Sequence, residues 1–366
     1  MSVVLYIFFA VAAIQVVYYL GIFSKFAFSK PQHGTPKKIP VSVIVCAKNE
    51  AAKIREFLPK LIAQDYPEFE LVLIDDASTD ETLQLFEDCA RDHANIKLVK
   101  VENNEAFWGN KKFALTLGIK AAKYEYLLFT DADCYPVSDQ WIKEMSSHFT
   151  PQKSIVLGYG AYDKLPGFLN KIIRYETLLT AVQYFSWAKH GLPYMGVGRN
   201  MAYKREEFFR VRGFMDHMKL RSGDDDLFIN QAGHAKNTTT CYTPESFTYS
   251  EPKTTFKDWF TQKRRHVSVA GHYKAFDKIQ LGIFYASQLL FLVLAAVLLA
   301  FQYEWIMVAS AVGVRYLISW LVMGFSAAKL KEQDTIYFYP FIELTLVLVQ
   351  LNVFFSNIFS KPVHWK

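Results

Sequence analysis

Four stretches of this chain are apolar for about the length that a bilayer crossing needs, and they fix where everything else can sit. Val3 to Phe23 is almost uncharged and is interrupted only by Gln15. At about 1.5 Å per helical residue it is long enough to cross. A cleaved signal peptide would carry Lys or Arg before the run and a small-residue cleavage site after it. Neither is present, so the run is read as an anchor. Lys25, Lys30, Lys37 and Lys38 follow it, which places the next domain in the cytoplasm by the positive-inside bias. Ile279 to Phe301, Trp305 to Ala328 and Ile336 to Ile358 are the other three stretches. The short connection Lys329 to Asp334 carries two lysines and suits a cytoplasmic turn, with Tyr303 and Glu304 on the far side. Four crossings would put Lys361 and Lys366 outside, against the bias, unless one of the last three stretches is re-entrant or interfacial. Arg315, inside the second of these, either snorkels or faces the bundle. The expected organisation is an anchor over 1–28, a soluble domain over 36–275 and C-terminal membrane helices over 279–360, in a multi-pass protein of the cell (inner) membrane.

Within the soluble stretch, short β-branched runs alternate with helical patterns. Val41 to Ala47, Glu70 to Ile74, Ile96 to Val101 and Tyr126 to Phe129 suit buried strands. Helices are expected from Glu50 to about Ala63, after a cap at Ser78 or Thr79, and over Asn110 to Ala122. That alternation implies right-handed crossovers and a mostly parallel, Rossmann-like α/β sheet covered on both faces. Ligands of such sheets bind outside the carboxyl ends of the strands. Three of those ends carry Glu50, Asp76, and Asp131 with Asp133.

The last pair is the most informative. In YLLFTDADCY an apolar strand breaks into two carboxylates around one alanine. Extended backbone has a side-chain period of two, so Asp131 and Asp133 point to one side and Ala132 to the other. Mg²⁺ or Mn²⁺ needs only one or two protein carboxylates when phosphate and water complete its shell. No GxGxxG follows a strand and no Walker A sequence occurs, so phosphates must be held by metal and cationic side chains. The four cysteines have no CxxC spacing, which argues against a zinc site or disulfide framework. The net charge of +6 lies largely beside the apolar stretches, where anionic lipid explains it and no nucleic acid is called for.

From Val41 to His266 the chain resembles the membrane-anchored family 2 glycosyltransferases of GT-A fold. Ala47, Lys48, Asn49 and Glu50 match the family's AxNE after the first strand, and Asp75 and Asp76 match its next carboxylate motif. The resemblance gives Ala47, Asn49, Glu50 and Asp76 to the nucleoside of a sugar nucleotide. Gly109, Lys111, Ala114 and Leu115 approximate GKxxAL with Asn110 inserted, which leaves Lys111 or Lys112 as the diphosphate contact. Gly196, Gly198 and Asn200 resemble the loop near donor sugar and acceptor. Gly223, Asp224 and Asp225 resemble the GDD motif that supplies the catalytic base, Asp225 in this alignment and Asp224 as the alternative. Gln262 to His266, QKRRH, is similar to QxxRW, with Arg265 at the arginine position and His266 in place of the tryptophan. Asp131 then touches the donor and Asp133 holds the metal. The apolar residues of Leu165 to Phe185, and Phe256, Trp259 and Phe260, are candidates for interfacial helices.

The expected activity is that of a hexosyltransferase. It transfers a sugar, with inversion and with Mg²⁺ or Mn²⁺, from a UDP- or GDP-sugar to a lipid or glycan acceptor in the membrane. A lipid is the favoured acceptor, because few crossings and the missing tryptophan argue against polymer extrusion. A processive polysaccharide synthase is the rival, and a catalytically silent sugar-nucleotide-binding scaffold is the rival of another class.

Overall fold

A computed structural model describes residues 1–102, 111–220 and 222–360. Gly109 and Asn110 of the glycine-lysine pattern lie outside the described residues, as do Lys361 and Lys366. The N-terminal apolar run forms α1 (Ser2–Val16), widens into π turns over Val17–Phe23 and ends in α2 (Ser24–Ala27). After it the expected alternation unfolds: β1 (Val41–Ala47), α3 (Ala51–Ile62), β2 (Phe69–Asp75), α4 (Thr82–Asp92), β3 (Ile96–Lys100), α5 (Lys111–Ala121) and β4 (Tyr126–Asp131). Shorter pieces follow: β5 (Cys134–Pro136), α6 (Trp141–Ser147), β6 (Ile155–Leu157) and β7 (Gly160–Tyr162). The long α7 (Phe168–Lys189) leads to β8 (Met201–Lys204), α8 (Arg205–Arg210), α9 (Asp226–Ala232), β9 (Thr238–Thr240), β10 (Thr248–Ser250) and α10 (Phe256–Ala270). Three long apolar helices follow: α11 (Ala275–Ala300), α12 (Trp305–Lys329) and α13 (Tyr339–Phe359).

The main sheet has the order β3-β2-β1-β4-β8-β6-β9, and β5-β10-β7 form a small second sheet. β3, β2, β1 and β4 are parallel, whereas β8 runs antiparallel to both β4 and β6. Both faces are covered, so the strands need apolar residues on both sides. Val43 and Val45 join Ile54, Leu58 and Trp141 on one face. Ile44, Val72 and Ile74 join Ala114 and Ile119 on the other. Ala47 pairs with Asp75 and Cys46 with Asp131, so three strands end flush.

Two expectations change. Glu81 is the N-cap of α4 and makes no side-chain cap bond, while the Asp80 carboxylate before it accepts from Thr82 N at 2.9 Å and from Ala51 N at 3.1 Å. Ser78 and Thr79 instead bond to Asn49. α7 is core along most of its length, with Ile172, Leu179, Val182 and Phe185 buried and only Leu165 and Phe168 exposed near its start. It lies between the sheet and the domain-side ends of the apolar helices, as the stacked rings of Phe26 and Phe185, 5.1 Å apart, demonstrate. A helix covered on both sides needs apolar residues all round.

Arg315 faces the bundle. It donates to Glu343 at 2.6 and 2.7 Å and to Gln15 at 2.7 Å, joining α1, α12 and α13. A second buried arginine ties the domain to the α12–α13 connection: Arg174 of α7 donates to Glu332 at 2.5 and 2.8 Å and to Asp334 at 2.6 and 2.7 Å. The Arg174 and Glu332 side chains are 2% and 0% exposed, so removing one partner strands a buried charge. Arg174→Met is expected to cost about 3–5 kcal/mol. The double variant Arg174→Met with Glu332→Leu should recover much of that loss in thermal unfolding of the detergent-purified protein. Equal destabilisation of the single and double variants would mean that the stranded charge is not the cause.

Candidate active site

The flush ends of β1, β2 and β4 set the first side of the site. Beyond β1 the backbone turns at Asn49, with φ of 56°, a left-handed conformation that asparagine tolerates. The Asn49 side-chain oxygen accepts from Thr79 N at 2.7 Å, joining the loops after β1 and β2. The Ala47 carbonyl accepts from Asp76 N at 2.9 Å. Burial pushes the Asp76 carboxyl up, with Lys48 opposing. Glu50 is half-buried and pushed up to about 7, first by burial and then by Asp133. Ala47, Asn49, Glu50 and Asp76 therefore share one edge, where Ala47 acts through its backbone.

Lys111, the first residue of α5, joins the two acidic groups. Its Nζ lies 2.6 Å from Asp131 and 3.1 Å from Asp224. Burial would discharge it, but the two carboxylates outweigh burial and hold its pKa well above the usual range. Burial would likewise raise Asp224, yet the Lys111 ammonium keeps it low. Lys112 points about 100° away around the helix. Its ammonium donates to the carbonyls of His217, Leu220 and Ser222 at 2.8, 3.0 and 2.8 Å. Lys112 thus braces the loop that presents the carboxylates, and Lys111 is the lysine that faces them.

Asp225 caps α9. Its Oδ1 accepts from Asp226 N at 2.8 Å and its Oδ2 from Gly198 N at 2.7 Å, which brings the glycine loop against the carboxylate triplet. A Cβ on Gly198 would lie only 3.4 Å from that carboxylate. Gly223 has φ of 90°, and a Cβ there would meet Leu227 at 2.7 Å, so only glycine fits. Burial, then Asp226 and Asp224, push Asp225 up to about 7. Asp226 is raised to about 6 by burial, against a 2.6 Å hydrogen bond from the Tyr273 hydroxyl.

Arg265 of α10 comes to the same place: burial lowers its pKa while Asp224, Asp131 and Asp225 oppose that effect. Gln262, one turn earlier, is at the rim, its Nε2 3.5 Å from the Tyr162 hydroxyl. His266 is exposed. Asn200 is the residue that does not reach the cleft. It is 0% exposed, with its amide donating to the Tyr159 and Ser246 carbonyls and accepting from Trp141 Nε1. It braces the glycine loop from behind instead of touching a ligand. The residue beside it was missed by sequence reasoning. Arg199 is half-buried, stacks over Tyr162 at 4.3 Å and donates to Ser250 Oγ at 3.1 Å, and its charge acts on Asp133 and Asp131. A cation between Gly198 and Asn200 was the available signal.

The donor set suits a hard cation. Asp131, Asp133 and Cys134 each offer a ligand atom within 4.8 Å of the others. Asp133 is exposed, whereas the buried Cys134 thiol is a soft ligand engaged with Asp133. Two carboxylates with room for phosphate and water fit Mg²⁺ or Mn²⁺. The four cysteines are free.

Comparison with known proteins agrees with this geometry. The family model described as Glycosyl transferase family 2 matches residues 42–221. Over 118 residues the chain is 36% identical to the poly(ribitol-phosphate) beta-N-acetylglucosaminyltransferase TarS of Staphylococcus aureus, covering 32% of this chain and 20% of that one. Over 166 residues it is 28% identical to a dolichyl N-acetyl-alpha-D-glucosaminyl phosphate 3-beta-D-2,3-diacetamido-2,3-dideoxy-beta-D-glucuronosyltransferase of Methanococcus voltae, covering 41% and 49%. The chain thus matches no more than about half the length of these relatives. Among solved structures, the mannosyltransferase PcManGT of Pyrobaculum calidifontis, in complex with GDP-Man and Mn²⁺, superposes with a TM-score of 0.59 at 20% identity. That match covers 91% of this chain and 98% of that one, a likeness of fold. With its flush parallel strands, its acidic loops and this match, the stretch over residues 42–221 is a glycosyl transferase family 2 domain of GT-A fold, carried on a chain that has, among the described residues, four helices long and apolar enough to cross a membrane.

Proposed function

We propose that this chain transfers a sugar, with inversion, from a UDP- or GDP-sugar to a lipid acceptor at the cytoplasmic face of the cell membrane. The observation that carries the reading is the meeting of Asp131, Asp224 and Asp225 around Lys111 and Arg265, beside helices that a bilayer would hold. The nucleoside lies along Glu50 and Asp76. Lys111, Arg199 and Arg265 offset charge on the diphosphate as it departs. Asp225 takes the proton of the acceptor hydroxyl. That oxygen forms its bond to the anomeric carbon as the bond to the diphosphate oxygen breaks, and the electron pair leaves with the nucleoside diphosphate. When bound, a divalent cation held by Asp133 and Asp131 would neutralise diphosphate charge further. The Methanococcus voltae relative is named for a dolichyl-linked acceptor, which supports a lipid here.

The test incubates detergent-purified protein with a panel of nucleotide sugars and a membrane lipid extract, following diphosphate release and product mass. A single sugar added to a lipid is expected. A long polymer would favour the processive reading, and no release with any donor would favour a silent scaffold. The pH profile checks the base separately. Asp225 accepts a proton only when ionised, and its pKa is about 7. Transfer should therefore rise with pH through about 7 and level off above it. A rate unchanged down to about pH 5 would remove Asp225 from that role.

A further inference from the structure

α13 has the length and apolarity of a membrane crossing, yet both of its ends belong to the domain side. It follows the connection that Arg174 grips through Glu332, and its first ring, Tyr339, lies 5.8 Å from Tyr175 of α7. At its other end, Arg264 of α10 donates to Asn357 Oδ1 at 3.0 Å and to the Ser356 and Ser360 carbonyls at 3.1 and 2.6 Å. Asn357 Nδ2 returns a bond to the Arg264 carbonyl at 3.0 Å. α10 is the helix that carries Arg265 to the active site and leads into the domain-side start of α11.

The contacts between those ends trace the route. Gln288 of α11 donates to Glu343 at 3.0 Å, and Tyr285 donates to the Val347 carbonyl at 3.3 Å. Moving forward along α13 therefore leads back along α11 toward Ala275. The apolar packing agrees. Among the described residues, the far half of the bundle is a cluster of α1, α11 and α12, built on Leu5, Phe8, Phe291, Leu298 and Val308, with no member from α13. The buried face of α13, Tyr339, Ile342, Leu346, Val349 and Val353, belongs to the cluster that holds the sheet and α7.

We propose that α13 stays in the domain-side half of the bilayer, tilted beneath α10, and that the chain crosses only three times, through α1–α2, α11 and α12. Phe341, Leu344, Leu348, Phe355 and Ile358 recur at helical spacing on its outer face and are 44–68% exposed, so this face meets lipid acyl chains. The far end of α13 then shares a side with the domain, and the first residue of α1 lies on the opposite side. The positive-inside bias applied to the sequence of Lys361 and Lys366 favours the same arrangement. This placement does not rest on the reaction proposed above.

The full chain, tagged at one terminus or the other, is expressed in membranes and prepared as sealed inside-out and right-side-out vesicles for protease treatment. The C-terminal tag is expected to be cut from the same side as the domain and the N-terminal tag from the other. A C-terminal tag that stays protected while the domain is digested overturns the proposal. Arg264→Cys with Asn357→Cys supplies an independent readout: a reducible cross-link forms in intact membranes if the two helices meet. A crossing α13 would carry Asn357 out of reach and give none.

Discussion

Asp225→Asn is expected to lower glycosyl transfer by about two to four orders of magnitude and to leave donor affinity close to that of the parent. Asparagine has the same shape, and its oxygen still accepts from Asp226 N or Gly198 N, so α9 keeps a competent cap. One of those two N–H groups is left facing an amide nitrogen, which costs about 1–3 kcal/mol and is checked by thermal unfolding. Under the proposed reading, the function lost is proton acceptance at a group that burial and its acidic neighbours push up to about 7, which suits the task at neutral pH. Diphosphate release measured beside donor-binding calorimetry separates the two effects. Asp224→Asn should behave differently, because it takes a carboxylate away from Lys111 and so changes donor binding as well as rate. If Asp225→Asn transfers near-normally, the assignment of Asp225 as base is wrong and Asp224 is the next to test.

Asp133→Asn is expected to lower metal-dependent turnover by roughly a hundredfold or more, equivalent to about 3 kcal/mol of transition-state stabilisation. Its exposed carboxylate makes no protein ion pair among the described residues, whereas Asp131 is engaged by Lys111. The fold therefore has little to lose from the change and the cation much. Chelation of the parent enzyme should produce a comparable loss that Mn²⁺ or Mg²⁺ restores, and the variant should need far more metal to regain any rate. A variant with the parent's metal dependence would place the cation elsewhere, and a parent indifferent to chelators would make the reaction metal-independent.

The parallel core of the sheet was legible because its strands are short runs rich in β-branched and other apolar residues that give way to polar ones, although Ser42, Glu70 and Lys97 interrupt three of them. Asp131, Asp224 and Asp225 stood out because acidic residues follow directly on an apolar strand or a glycine, a pattern shared with ordinary helix caps, as Asp225 itself shows on α9. Lys111 and Lys112 were not separable: both are lysines at a helix start, and only the turn of α5 aims one at Asp131 and the other at three loop carbonyls. Asn200 misled because its place in a glycine loop says nothing about which way the amide turns, while Arg199 beside it passed unnoticed for the same reason. α7 misled because an apolar stripe looks alike whether lipid or another helix covers it.

By itself the sequence determined the order of the first four strands and the helices between them, the side of the sheet that holds the acidic groups, and the segments apolar enough for a bilayer. These are local properties, set by side-chain periodicity, chain length and charge. Only the tertiary structure decided which charges meet, which lysine faces them, and that both ends of α13 bond to the domain. Such pairings join residues far apart in the chain, and their energies depend on distance and burial, which no local pattern encodes.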